Sequence, residues 1–378
     1  MTKVQWTLER IYPVQNVTSS VMSLSYVQGR QNYSDPYSGG TLTVTLNNQT
    51  NVAQYFGFNE YFRLKDNLSP GGGFPFQTEQ HFWVQGVTFN DYPGNTGIST
   101  ITVTLVDVLA RNGRVNADNV VLSSQTMYGQ LNNLWLGYGG VGNATSTGDS
   151  STMRAITYTG TFLNYFNLLT STEQGVVQFI EDEVLVIGRN AVASYVSGSS
   201  FTRNAPSATA ISYNQFDHVR AGLNFVNEMT VSPTGLATQT AENTASIATY
   251  DIAQRSMTTV DNTTTQALGL AQWFSNALAD PNSETWSVSF TDLPQTSAAL
   301  ITILETFYGL GDVVFDLVYR VPGAGSDTTV EVVVEGIGIS ATPDKTEFTV
   351  YFSPLTYYQF FTLNSTTLGI LNTSRLGW

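Results

Sequence analysis

At 378 residues the chain is long enough for several cores, and a hydrophobic content of 42% supplies the apolar material for them. Charged residues make up only 12%, well below the globular average of roughly 25%, so Thr, Ser, Asn and Gln carry the polar surface. Fifteen Lys and Arg against 29 Asp and Glu leave a net charge of −14 with no run of three basic residues. That excludes tight binding to a phosphate backbone, which needs clustered cations to release counterions. Cysteine is absent, which removes disulfides, thiolate nucleophiles, iron–sulfur clusters and cysteine-based zinc sites together.

The first residues, Met1-Thr2-Lys3-Val4-Gln5-Trp6, lack the apolar stretch of a signal peptide. No window reaches the length of a membrane span. Synthesis in a cytoplasm without export is the expectation. Residues 21–26 and 41–46 alternate apolar and polar with period 2, the pattern of half-buried strands, and the turn-rich stretch 33–40 separates them. A loop is expected at Pro70-Gly71-Gly72-Gly73. Residues 81–89 and 99–108 read as strands joined by the turn chemistry of Asp91-Tyr92-Pro93-Gly94-Asn95.

The stretch 122–229 is mixed. Phe162, Phe166 and Leu169 share a helical face behind Thr161 as N-cap, and Gly175 ends that helix. Residues 176–187 read as a hairpin with Glu181-Asp182-Glu183 at its turn, and 139–151 as a loop. A second helix fits 263–279, where Ala267, Leu270, Ala271, Phe274 and Leu278 recur at 3- and 4-residue steps before Asp280-Pro281. Strands follow at 284–290, 313–320, 330–339 and 347–352, with Pro322-Gly323-Ala324-Gly325 as a hairpin loop.

An internal repeat organises these strands. Val84-Gln85-Gly86-Val87 in the first half is matched by Val334-Glu335-Gly336-Ile337 in the second, each followed after a turn by an alternating strand. The repeat predicts a duplicated barrel in which Gly86 and Gly336 each permit a bulge or bend.

Residues suited to chemistry are sparse. His81 and His218 have no second ligand at i+2 or i+4, whereas a metal site or a triad needs several groups to converge. Glu181-Asp182-Glu183 lacks the spacing of a calcium loop and reads as a solvated hairpin tip. Asp312 and Asp316 fall four apart in a predicted strand and read as solvated edge carboxylates rather than a glycosidase pair. No nucleophile elbow and no phosphate-binding loop occurs. The chain is therefore read as a non-enzyme with no cofactor, no metal and no catalytic residue.

Four stretches resemble the minor tail, or tail-hub, proteins of long-tailed phages, which are related in fold to the baseplate hubs of contractile tails. They are 17–30 with 38–48; 82–87 with 104–111; 169–175, 184–189 and 225–227; and 310–314, 334–337 and 363–378. The last of these, from Leu363-Asn364-Ser365 to Arg375-Leu376-Gly377-Trp378, is the most specific. One departure is 223–229, where the family more often has Asn followed directly by a β-branched pair.

The resemblance implies a mainly β fold with a small α+β insertion: two related β-barrel domains, an inserted lobe and an extended C-terminal arm. The expected domains are a first barrel at 1–121, the lobe at 122–245, a second barrel at 246–362 carrying the helix 263–279, and the arm at 363–378. It implies a virion structural protein at the tail tip: a homotrimer whose barrels adapt a sixfold tube to a threefold tip. Its partners would be distal tail or tail tube proteins, tape-measure protein and tip or fibre proteins, with DNA only as transient cargo in the lumen. Leu368, Ile370, Leu371, Leu376 and Trp378 are the expected assembly residues of the arm. Two related functions remain open: a receptor- or carbohydrate-binding tail protein, and a distal-tail ring protein.

Overall fold

The computed structural model describes residues 3–68, 79–91, 99–137, 144–148, 151–220, 224–280, 284–321 and 325–358. The Gly-rich loop at 70–73, most of the 91–95 turn, much of the 139–151 loop, most of the 322–325 loop and the whole arm at 363–378 lie outside the described residues.

Period-2 alternation builds the first barrel. Its strands are β1 (Thr7–Arg10), β2 (Gln15–Asn16), β3 (Val21–Gly29), β4 (Thr41–Asn47), β5 (Tyr61–Lys65), β6 (Glu79–Asp91) and β7 (Ser99–Val106). Every ladder among them is antiparallel. On β4, Leu42, Val44 and Leu46 are fully buried while Thr41 and Thr43 face solvent.

β7 stops two residues before its periodicity does, because Asp107 caps the short helix α1 (Val108–Asn112). Its carboxylate accepts from the Ala110 amide at 2.8 Å, the Gly40 amide at 2.6 Å and the Tyr26 hydroxyl at 3.2 Å. Burial nonetheless outweighs these bonds and pushes the Asp107 carboxyl up to about 6. The folded chain thus keeps a proton that the unfolded chain has already lost between pH ~4 and ~6, so this group lowers stability as pH rises through that window. The loss is on the order of 2–3 kcal/mol and is complete above the folded pKa. In Asp107→Asn the change in unfolding free energy between pH 4 and 7, from urea titrations, should differ from the parent's by that amount. Superimposable profiles would show that Asp107 does not titrate in this window.

The lobe follows: β8 (Asn116–Leu122), β9 (Gln125–Thr126), α2 (Met127–Gly137), β10 (Ala144–Thr147), β11 (Thr152–Met153), β12 (Ile156–Thr161), α3 (Phe162–Glu173), β13 (Val176–Ile180), β14 (Glu183–Ile187) and α4 (Arg189–Val192). Thr161 caps α3 by accepting from the Asn164 amide, and Phe162, Phe166 and Leu169 are buried as their spacing predicts. The helix ends in a left-handed Gln174 (φ 58°), one residue before Gly175. Met127, Leu131, Trp135, Phe166 and Phe179 pack with Trp83 and Val106, which joins lobe and first barrel through one apolar cluster.

β15 (Val196–Thr202), β16 (Ala210–Ser212) and β17 (Gln215–Arg220) come next. The sequence reading put them in the lobe. Their ladders, β15 to the later strand Val314–Tyr319 and β17 to Glu284–Thr291, put them in the second barrel instead. A small sheet of β18 (Glu228–Pro233), β19 (Gln239–Glu242) and β20 (Gln254–Thr259) then packs against α6 (Thr264–Ala277), and α5 (Thr244–Tyr250) links β19 to β20. α6 opens with a complete capping box between Thr263 and Gln266.

The second barrel is completed by β21 (Glu284–Thr291), α7 (Ser297–Phe307), β22 (Val314–Tyr319), β23 (Thr328–Ala341) and β24 (Thr346–Pro354). α7 fills the space between the barrels. Leu300, Ile303, Leu304 and Phe307 are fully buried, and Phe307 meets Trp6 and Tyr26 edge-on at 6.0 and 5.9 Å between ring centroids. One apolar core therefore runs through both barrels. Asp312 lies before β22 and not within it, so the pair Asp312 and Asp316 does not share a strand. Among the described residues no helix is long and apolar enough to cross a membrane.

Candidate functional site: the sheet shared by the two barrels

The barrels are fused edge to edge. β23 pairs antiparallel with β3, so eight strands run in the order β6, β7, β4, β3, β23, β24, β21, β17, every neighbour antiparallel. One face of this sheet looks into the cores. The other carries short hydroxyl side chains in register across the joint: Thr104, Thr43, Ser25 and Ser340 lie successively opposite one another. A second row runs through Thr41, Val27, Gly338, Thr349, Ser289 and Gln215. The charges that interrupt these rows and their neighbours are acidic, Glu347 and Asp217. The face is thus polar and low in charge: Lys345 pairs with Glu347 at 3.6 Å at its margin, and its described residues form no cluster of cations of the kind that holds a polyanion.

At the joint the backbones come very close. A Cβ on Gly336 would lie 2.6 Å from the Gln28 carbonyl oxygen and 2.7 Å from that of Arg30, and a Cβ on Gly29 would lie 2.3 Å from the Glu335 carbonyl oxygen. The β23–β24 ladder shifts register between Val334 and Gly336, and the β6–β7 ladder does the same between Val84 and Gly86. The two repeats therefore carry the same irregularity, but only Gly336 is clasped. A Cβ on Gly86 has no atom within 4 Å.

Beside Gly336, the bulged Glu335 turns its carboxylate inward. Arg30 Nε donates to Glu335 Oε2 at 2.7 Å, and the Tyr358 hydroxyl donates to Oε1 at 2.6 Å. A further Arg30 nitrogen donates to the Tyr358 oxygen at 2.9 Å. The guanidinium also stacks over Tyr33 and Tyr37, 4.9 and 4.7 Å from their ring centres. Burial works against its charge, but Glu335, Tyr37 and Tyr358 outweigh that and hold Arg30 firmly protonated. The sequence reading noted the Gly29-Arg30 strand end but not this cluster. The available signal was Glu335 itself, one acid inside the apolar run 332–339.

The two histidines lie far apart. His218 sits on β17 among the rings of Phe216, Trp286 and Tyr319. His81 meets the lobe hairpin, where a nitrogen of His81 and one carboxylate oxygen each of Glu181 and Asp182 lie within 4.8 Å of one another. The hairpin tip is therefore not simply solvated: Glu181 bridges Gln80, and His81 donates its amide to the Glu181 carbonyl at 3.3 Å. The His81 ring bonds Tyr61 through Nδ1 and Glu79 through Nε2. Burial pushes the Tyr61 phenol up, with Asp182, Glu79 and Glu181 adding to it. Burial pushes Glu79 up too, but His81, Arg63 and Lys65 outweigh it and hold that carboxyl below its ordinary range. With both ring nitrogens engaged, the group serves as a polar latch between lobe and barrel.

The fold and this shared sheet define a class: β proteins in which two bulged barrels are fused through one continuous sheet around a common core. Solved phage-tail proteins have this fold, as the sequence resemblance implies. The prophage MuSo2 43 kDa tail protein from Shewanella oneidensis matches with a TM-score of 0.59 and 11% identity, over 94% of this chain and 98% of that one. The tail protein from Neisseria meningitidis MC58 matches with a TM-score of 0.60 and 9% identity, over 93% and 97%. An E. coli type VI secretion component, described as similar to the T4 tail proteins gp27 and gp5, matches with a TM-score of 0.51 and 9% identity, over 89% and 73%. No protein-family model matches the sequence, and no curated protein matches it.

Proposed function

We propose that this chain is a structural subunit of a phage-like tail: the hub at the tail tip, which works by assembly and carries no chemistry of its own. Three copies with two barrels each give six barrels around one axis, matching a sixfold tube on one side and a threefold tip on the other. The observation that carries this reading is the run of eight antiparallel strands within the fourteen-stranded sheet, with its hydroxyl face. Repeated around an axis with that face inward, the sheet lines a channel with short neutral side chains. DNA and tape-measure protein pass such a wall without a cluster of cations to hold them. The faces above and below the ring take distal tail or tube proteins and the tip or fibre proteins, and the arm at 363–378 packs on a neighbouring subunit.

The test is the mass in solution by light scattering over a range of concentrations. The expected result is three times 41.2 kDa. A hexamer would move the chain to a distal-tail ring, and a monomer at every concentration would overturn the hub.

A further inference from the structure

The two barrels correspond strand by strand, and the bulges fix the phase. Gly86 lies opposite Thr104 and Gly336 opposite Tyr351, so β7 corresponds to β24. Thr104 lies opposite Thr43 and Tyr351 opposite Ser287, so β4 corresponds to β21. Thr43 lies opposite Ser25 and Ser287 opposite Asp217, so β3 corresponds to β17. Tyr26 then matches His218, and Val27 matches Val219. Val27 and Val219 are 43% and 44% exposed, as equivalent positions on one face should be.

Past its bulge, β23 keeps β24 on one side and on the other exchanges β22 for β3 of the first barrel: Gly338 opposite Val27, Ile339 opposite Tyr26, Ser340 opposite Ser25. The corresponding half of β6 pairs only with β7, and β17 pairs only with β21, among the described residues. These two edges stand at opposite ends of the eight-stranded order, so one chain leaves both open. Open edges of this kind are templates for another chain.

We infer that β6 of one copy pairs antiparallel with β17 of the next, in the register of the internal joint: Thr88 opposite Val219, Phe89 opposite His218 and Asn90 opposite Asp217. Two side observations point the same way. Ile339 at the internal joint is 2% exposed, whereas its counterpart Phe89 is 60% exposed. In the joint between copies Phe89 comes against the ring cluster of His218, Phe216, Trp286 and Tyr319. The open space at Gly86 is where the neighbour's Arg220 backbone lies, as the Gln28 backbone lies against Gly336. The contact is heterologous, so it propagates head to tail, and with the rotation of a trimer it closes into the ring of the hub reading. It rests on the hub reading, to which it adds the surface and the register.

A disulfide reads the register directly, because the chain has no cysteine. Arg30 donates its amide to the Glu335 carbonyl at 3.0 Å, which makes Gly29–Gly336, and by alternation Val27–Gly338, a pair not hydrogen-bonded to each other. Such pairs bring Cα atoms to about 4.5 Å, within disulfide range. In one chain, Thr88→Cys with Val219→Cys should oxidise to a covalent trimer that survives SDS and collapses on reduction. The off-register pair Thr88→Cys with Gln215→Cys should not. Mixing the two single variants should give covalent dimers, showing that the bond joins different copies. A trimer by light scattering that never cross-links, or that cross-links equally off register, overturns this joint and leaves the hub standing. A monomer at every concentration overturns the hub and the joint with it.

Discussion

Glu335→Ala should be among the most destabilising single substitutions in the chain, costing on the order of 3–5 kcal/mol of unfolding free energy. The Arg30 side chain is only 7% exposed and that of Glu335 fully buried. Removing the carboxylate leaves a guanidinium that water cannot reach, and the Tyr358 hydroxyl loses its acceptor at the same time. Stacking on Tyr33 and Tyr37 remains and favours the lower end of the range. The measurement is urea unfolding, read as a drop in midpoint with little change in slope. Replacing both partners, Arg30→Met with Glu335→Leu, should cost less than the single change, because no charge is then stranded. A loss below about 1 kcal/mol for Glu335→Ala, the size of an exposed pair, would mean that the barrels are held by the β3–β23 ladder and the common core alone.

What was legible in the sequence was local. The alternation of β4, the Thr161 cap of α3 and the 3- and 4-residue apolar steps of α6 each depend on residues a few positions apart. α7 was missed because Ala298-Ala299-Leu300-Ile301-Thr302-Ile303-Leu304 is nearly continuous in apolar residues. Periodicity cannot tell a buried helix from a buried strand in such a run, and the Thr296 cap was the remaining cue. The assignment of β15 to β17 to the wrong unit has a different cause. A strand's sheet is chosen by partners more than 60 residues away, as in Phe216 opposite Val288. The candidate site is non-local in the same way. Arg30 and Glu335 are 305 residues apart, and His81 meets a hairpin 100 residues downstream. The repeated Val-x-Gly marked where each long strand bends. It did not show that one of these glycines is clasped within the chain and the other is bare.

That asymmetry separates folding from assembly with one chemical change made twice. Gly336→Ala puts a methyl group within 2.6–2.7 Å of two backbone oxygens, and backbone cannot swing aside as a flexible side chain does. The joint must open, at a cost of roughly 1–3 kcal/mol, and the thermal midpoint should fall at every protein concentration. Gly86→Ala meets no atom within 4 Å and does not require a left-handed backbone. The folded monomer should therefore keep its stability to within about 0.5 kcal/mol, as an uninvolved surface position does. Its assembly should not. If the neighbour's strand lies against Gly86 as β3 lies against Gly336, the added methyl meets that strand's carbonyl oxygens. Trimer formation should then weaken by tenfold or more, which is about 1.4 kcal/mol per contact. Light scattering and thermal unfolding on the same two variants give a clean division: one change lowers the midpoint, the other lowers the mass. A Gly86→Ala chain that assembles like the parent would place the subunit contact elsewhere. The exposed Phe89, 60% accessible beside it, would then need another partner.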